Sequence, residues 1–283
     1  MTASNENTLV VVEEVVAPEP VEALAGLLDV EVPDDDEVPE LWHWVHLLER
    51  RPTRDLGPDG HPTSGIPAPP GAGMRRMFAG GRVDTHRRLR IGEPATRTTW
   101  IADEVEKQGR TGPLRFVTVR HQISQGGEVA IVEEQDIVYR APGGALPSSS
   151  GEGLPARATS LSLEVDERLL FRFSALTYNA HRIHYDRGWC RREGYDDLVV
   201  HGPLQALMMG ELARRNGVPL VGRRFGYRLV SPMTGPQTMH VLAGARGLGH
   251  GGEVFTAEVR TADGRQTAVS SHEAFPHPTH LTR

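Results

Sequence analysis

Val200-His201-Gly202-Pro203-Leu204-Gln205-Ala206-Leu207-Met208-Met209-Gly210-Glu211-Leu212-Ala213-Arg214-Arg215 holds one clear helix, Pro203 to Arg215. Proline is at home in a first helical turn, where its missing N–H has no intrahelical partner. Leu204, Leu207, Met208 and Leu212 then recur at helical spacing and form one apolar stripe, which reads as core. Asn216-Gly217 supplies the stop. Four β-prone runs follow: Phe225–Ser231, Gln237–Arg246, Glu253–Thr261 and Thr267–Phe275. The glycine-rich run 247–252 and Ala262-Asp263-Gly264 separate them, and Asp-Gly between strands is a hairpin signal. One apolar helix followed by an antiparallel meander predicts a curved sheet wrapped around that helix, the hotdog arrangement.

The first half repeats the meander. Arg97–Gln108, Leu114–Ser124 and Val129–Arg140 are β-prone runs separated by glycine-bearing turns. Two such halves predict an α+β double hotdog, with two antiparallel sheets each curved around a helix. The central helix is clear only in the second half. The expected boundaries are a loose tail over 1–18, an N-terminal hotdog over 19–145, a Gly/Ser/Pro-rich linker over 146–156, and a C-terminal hotdog over 157–283. Val21–Leu28 has the spacing of a short helix. The Pro- and Gly-rich stretch from Arg51 to Gly73 is long for a structureless loop and reads as a lid or wrapped arm.

Composition narrows the function. The 283 residues carry a formal charge of −6, which gives no reason to expect nucleic acid or an anionic membrane as partner. Cys190 is the single cysteine. It excludes an internal disulfide and a four-cysteine zinc site, and makes a reducing, cytoplasmic setting the expectation. A buried, inert thiol is the plainer reading of Cys190 than a nucleophile. Leu9–Val12 is too short to span a bilayer. Lys107 is the single lysine, at what reads as an exposed strand end, which leaves little room for Schiff-base chemistry.

The chemistry-bearing segment lies just upstream of the helix: Thr177-Tyr178-Asn179-Ala180-His181-Arg182-Ile183-His184-Tyr185-Asp186. Asn179, His181 and His184 fall within six residues, and Val200-His201-Gly202 follows. Together these resemble the MaoC-like hydratase/dehydratase family. The ten-residue motif is similar to the subgroup of mesaconyl-CoA hydratases and mitochondrial-type 3-hydroxyacyl-thioester dehydratases. Leu41-Trp42-His43-Trp44, Gly57-Pro58-Asp59-Gly60-His61-Pro62, Arg75 to Gly81 and Val132 to Tyr139 look like that subgroup too, so the likeness covers roughly residues 20–275.

The resemblance implies a hydro-lyase that adds or removes water across Cα–Cβ of an acyl thioester, with a short C4/C5, mesaconyl-type enoyl-CoA as substrate and no cofactor. His184 matches the family's histidine and Gly202 its glycine. Asn179 stands where the wider family has aspartate, and asparagine cannot act as a base. The expected roles are His184 as general base, Asn179 as the holder of a water, and Gly202 N–H at the helix start as donor to the thioester oxygen. His181, Arg182, Tyr178 and His201 are candidate substrate contacts, with Arg182 suited to a carboxylate. His201 also reads as structural in the turn, and Arg182 as a surface residue. Glu133 and Glu134 receive no role.

Several alternatives stay open. They are dehydration of a 3-hydroxyacyl group on a carrier protein, a non-catalytic thioester-binding subunit, a thioesterase, and a metal site on His181, His184 and His201. No metal is the expectation, because Asn179 and Arg182 are poor company for a cation. A homodimer is compatible with the sequence, although a double hotdog is already a pseudo-dimer.

Overall fold

The structure is a computed structural model. It describes residues 8–69, 74–109, 112–141, 153–154, 160–244, 247–249 and 252–275. The expected linker over 146–156 lies outside the described residues, apart from Gly153 and Leu154.

Strand alternation organises the first half. Strand β1 (Val10–Val15), β2 (Arg75–Thr85), β3 (Pro94–Gly109), β4 (Gly112–Gln125) and β5 (Glu128–Arg140) form an antiparallel sheet in the order β1-β3-β4-β5-β2. β1 corrects the expected loose tail. Val10 to Val15 pair with Thr99 to Pro94, and the tail reading gave too little weight to the β-branched run Val10-Val11-Val12. In β4 the inward residues are Val117, Val119, His121, Ile123 and Gln125, a strict period of two. Helix α1 (Glu19–Leu28) buries Val21, Leu24, Ala25, Leu27 and Leu28. A 3-10 turn over Trp42–Val45 buries Trp42, His43 and Val45, and His43 and Trp44 reach Glu133 of β5.

The second half contains β6 (Ser160–Val165), α2 (Glu167–Leu176), α3 (Arg187–Arg192), α4 (Gly202–Arg215), β7 (Arg223–Leu229), β8 (Gln237–Ala243), β9 (Gly247–Gly249), β10 (Gly252–Arg260) and β11 (Gln266–Ala274). Its sheet runs β7-β11-β10-β8-β6, with β9 against β10. Helix α4 is buried on almost every side and packs against β10, β8 and β11. Its two buried polar residues are satisfied: Thr267 donates to Gln205 at 2.7 Å, and Trp42 of the first half donates to Glu211 at 2.9 Å.

The halves join edge to edge, because β2 pairs with β7 over Gly80–Thr85 and Arg228–Arg223. Gly80 sits at a bulge in β2 with φ +144, and an added Cβ would stand 2.4 Å from the Tyr227 carbonyl. Glycine is what lets the two sheets become one there. Among the described residues no helix is long and apolar enough to cross a membrane.

A feature of this core is its load of neutral histidine. Burial pushes His46 and His121 down to about 4, and His184 and His272 down to about 3. A depressed histidine pKa means that the unfolded chain takes up protons first, below about pH 6.5. Stability should therefore be level above pH 7 and fall as the pH drops from 6.5 toward 4. Each group contributes about 1.4 kcal/mol per pH unit, so the four together reach on the order of 5 kcal/mol per unit. The buried carboxylate of Glu133 works lower down. Burial pushes it up, but the hydrogen bond and charge of His43 outweigh this and leave it near 2. Its stabilisation persists until the pH falls through that value, so the histidines give way first. Melting curves from pH 8 to pH 4.5 check this, and a midpoint unchanged down to pH 5 would contradict it.

Candidate active site

The segment after α2 is positioned by local bonds. Tyr178 takes a left-handed φ of 51 and turns the chain, after which Asn179 Oδ1 accepts from the His181 backbone N–H at 2.9 Å. This is an Asx-type turn. A 3-10 turn over Arg182–His184 follows, and Asp186 caps α3 by accepting from Trp189 N–H at 2.9 Å. Val199 N–H bonds Ile183 O at 2.8 Å, which brings the strand-to-helix turn of α4 alongside the motif.

His184 is buried, and its Nδ1 lies 2.7 Å from the carbonyl oxygen of Val199. A carbonyl can only accept, so Nδ1 carries the hydrogen and Nε2 holds the free lone pair. The ring stacks on His201 with centroids 3.5 Å apart, and His201 shares a hydrogen bond with Ser174 at 2.8 Å. His184 therefore has one tautomer and little freedom to rotate.

A cavity of about 1180 Å³ runs between the halves. Tyr178, Asn179, His181, His184 and Gly202 all line it. Gly202 is the first residue of α4, where backbone N–H groups lack intrahelical partners. A Cβ there would stand 2.3 Å from Leu229 and 3.1 Å from Phe78. Tyr178 is exposed at the rim. The Arg51–Gly73 stretch contributes Thr53, Leu56, Gly60, His61, Pro62, Ile66 and Pro67 to the wall.

Two candidates stand elsewhere. Arg182 is absent from the cavity wall. Its guanidinium pairs with Asp186 at 2.5 Å, donates to Pro58 O at 3.0 Å and covers Trp189 at 4.4 Å. An arginine so engaged braces the motif and has no free edge for a substrate carboxylate. His201 lies behind His184 and borders a second, smaller chamber of about 290 Å³ that also touches Asn179. Its ring backs that of His184. Cys190 is fully buried, donates toward Ile183 O at 3.1 Å, and is pushed up to about 11 by burial, so nucleophilic use is disfavoured.

The structure adds groups to which the sequence reading gave no role. Gly57–Pro62 is pinned to the motif by Arg182 N–H to Asp59 O at 2.8 Å. This places the His61 ring 3.9 Å from that of His181. His61 Nδ1 donates to Asp59 Oδ2 at 2.9 Å, and Glu193 Oε1 lies 3.8 Å from His181 Nε2. Burial raises the Asp59 carboxyl, but the ring and backbone hydrogen bonds of His61 outweigh it and hold it well below the usual carboxylate range. Burial takes His61 down to about 4. Among the described residues, Asp59, His61 and His181 are the trio whose ligating atoms lie within 4.8 Å of one another. This differs from the trio that the histidine spacing suggested. The nearby positive charge of Arg76 opposes a cation there, and the His61–Asp59 bond already uses the carboxylate.

The family described as hydroxyacyl-thioester dehydratase type 2 matches residues 41–235. Mesaconyl-C(4)-CoA hydratase of Chloroflexus aurantiacus is 46% identical over 235 residues, which is 80% of this chain and 83% of that protein. HtdX of Mycobacterium tuberculosis superposes with a TM-score of 0.69 at 17% identity, over 95% of this chain and 100% of its own. A second Mycobacterium tuberculosis protein, described as having a double hotdog fold, gives a TM-score of 0.56 at 12% identity over 95% of each chain. At such identities these structural likenesses speak for the double hotdog fold alone.

Proposed function

We propose, for a chain that belongs to the hydroxyacyl-thioester dehydratase type 2 family of MaoC-like hydratases, that its hydro-lyase chemistry acts on a short C4/C5 enoyl-CoA of mesaconyl type. The observation that carries the mechanism is the bond from His184 Nδ1–H to Val199 O. It leaves Nε2 as a base of fixed direction on the cavity wall.

In the hydration direction, His184 Nε2 takes a proton from water as the oxygen bonds to Cβ. The electron pair of the double bond moves through Cα onto the thioester oxygen. Gly202 N–H, at the head of α4, donates to that oxygen. Asn179 Oδ1 spends one lone pair on His181 N–H and keeps the second for the attacking water. Burial, which takes His184 down to about 3, makes the imidazolium short-lived. It returns the proton to Cα on the same face, and the imidazole is regenerated. An aspartate is not required by this sequence, which accommodates Asn179.

The test is a panel of enoyl and 3-hydroxyacyl thioesters, carried on CoA and on a carrier protein and scored by mass spectrometry for gain or loss of one water. Turnover of a short mesaconyl-type thioester is the expected result. Turnover of carrier-protein thioesters alone would move the substrate assignment, and release of free CoA without water addition would replace hydration by thioester hydrolysis.

A further inference from the structure

The smaller chamber reaches inward from Asn179 to the concave face of the first sheet. That face should be apolar, yet pairing across it sets Thr99 of β3 beside His121 of β4, and His121 beside Glu133 of β5. Arg97 stands two residues from Thr99, so it shares this face. Such a polar row inside a barrel-like core carries a desolvation cost, and a function is one way to offset it.

The row divides into satisfied and unsatisfied groups. Glu133 is satisfied: His43 donates at 3.1 Å, Trp44 at 3.0 Å and Gln135 at 2.7 Å. His121 shares a hydrogen bond with Thr99 at 2.8 Å. Arg97 borders both cavities and, among the described residues, makes no ion pair, while its buried Nε has no hydrogen-bond partner. Both ring nitrogens of His46 and the Tyr227 hydroxyl are likewise buried without partners, and they line the same chamber. Three donors that lack acceptors, one of them a full positive charge, surround a space of about 290 Å³. The charges of Glu133, Glu49 and Glu14 act on Arg97, but none of these carboxylates reaches it as an ion pair. A carboxylate at contact distance supplies the missing acceptors, and a guanidinium edge matches its two oxygens.

We propose that Arg97 is the counter-ion for a carboxylate carried by the acyl chain, which enters the chamber past Asn179 while the thioester stays at Gly202. The inference rests on the acyl-thioester reading above and makes Arg97, with His46 and Tyr227, the determinant of a dicarboxylic acyl group. Arg182, which the motif suggested for this task, is engaged by Asp186 and Pro58.

The test compares kcat/KM for a carboxylate-bearing enoyl-CoA, mesaconyl-C4-CoA, with that for its neutral counterpart, 3-methylcrotonyl-CoA. Arg97→Met should lower the ratio of the two at least 100-fold, and Arg97→Lys should recover part of it. A parallel loss on both substrates would show a structural role and overturn the proposal. An unchanged ratio would overturn it as well. A measurement on the unmodified enzyme keeps the test valid should Arg97→Met fail to fold: succinyl-CoA should inhibit at least 10-fold more tightly than butyryl-CoA, and equal inhibition would count against the carboxylate subsite. Wild-type enzyme inactive on both enoyl thioesters would instead sink the underlying function. Wild-type preference for the neutral one would leave the function standing and remove Arg97 from it.

Discussion

Replacing His184 with glutamine is expected to lower kcat about 10³-fold while the protein stays folded. General-base assistance contributes ~10²–10⁴-fold, and His184 is the group assigned to take the water proton. Glutamine keeps most of the ring's volume and can still donate to Val199 O, so it removes proton transfer with little loss of packing. Alanine should lose similar activity but also some stability, because the buried ring of His201 loses its stacking partner at 3.5 Å. Kinetics with matched melting curves separate the two effects. A second readout is isotopic: in deuterated water the wild-type product should carry deuterium at Cα on the face that receives the hydroxyl. Retention of more than a tenth of kcat in His184→Gln would sink the assignment of the base.

The pH behaviour supplies a further check on the same group. A solvated histidine base would lose activity near pH 6.5. His184, held down by burial, should remain a base to much lower pH. The acid limb of the activity profile should therefore track unfolding of the histidine-rich core, with no separate inflection near 6.5.

Much of this arrangement can be read in the sequence, and what cannot has physical reasons. Helix α4 is legible because Pro203, the apolar stripe and Asn216-Gly217 are all local signals, and the observed helix starts one residue earlier, at Gly202. The long strands are legible because glycine turns bracket them. β1 is obscured because its pairing partner lies some 80 residues away on β3. Arg182 is the instructive misreading. Its ion-pair partner, Asp186, stands four residues on, within reach of a local turn, but nothing local tells that Pro58 and Trp189 will take the rest of the guanidinium. Arg97 is harder still. Arg97 opens a β-prone run to which the sequence reading assigns no face, and its inward face appears only when three strands are set in register. Asp59 and His61 need a contact across more than a hundred residues to reach His181, which no local pattern records.

That last contact makes Gly60→Ala the second substitution with a large expected effect. Gly60 lies at φ +89, and an added Cβ would stand 1.8 Å from the carbonyl oxygen of Ala180 and 2.6 Å from its carbon. These are backbone atoms between Asn179 and His181, so no side chain can swing aside. The loop 57–62 must retreat by about 1 Å or more, which breaks Arg182 N–H to Asp59 O at 2.8 Å and draws His61 away from His181. A misplacement of that size can cost ~10²-fold in rate, and kcat/KM should fall at least that far. The left-handed backbone penalty adds roughly 1–2 kcal/mol of destabilisation on its own. Gly92→Ala isolates this term. Gly92 has a similar φ of +84 but nothing within 4 Å of an added Cβ, and it lies at a distant turn. It should share the modest loss of stability without the loss of activity. Equal kinetics in the two variants would mean that the Gly57–Pro62 loop does not hold the His181 end of the motif in place.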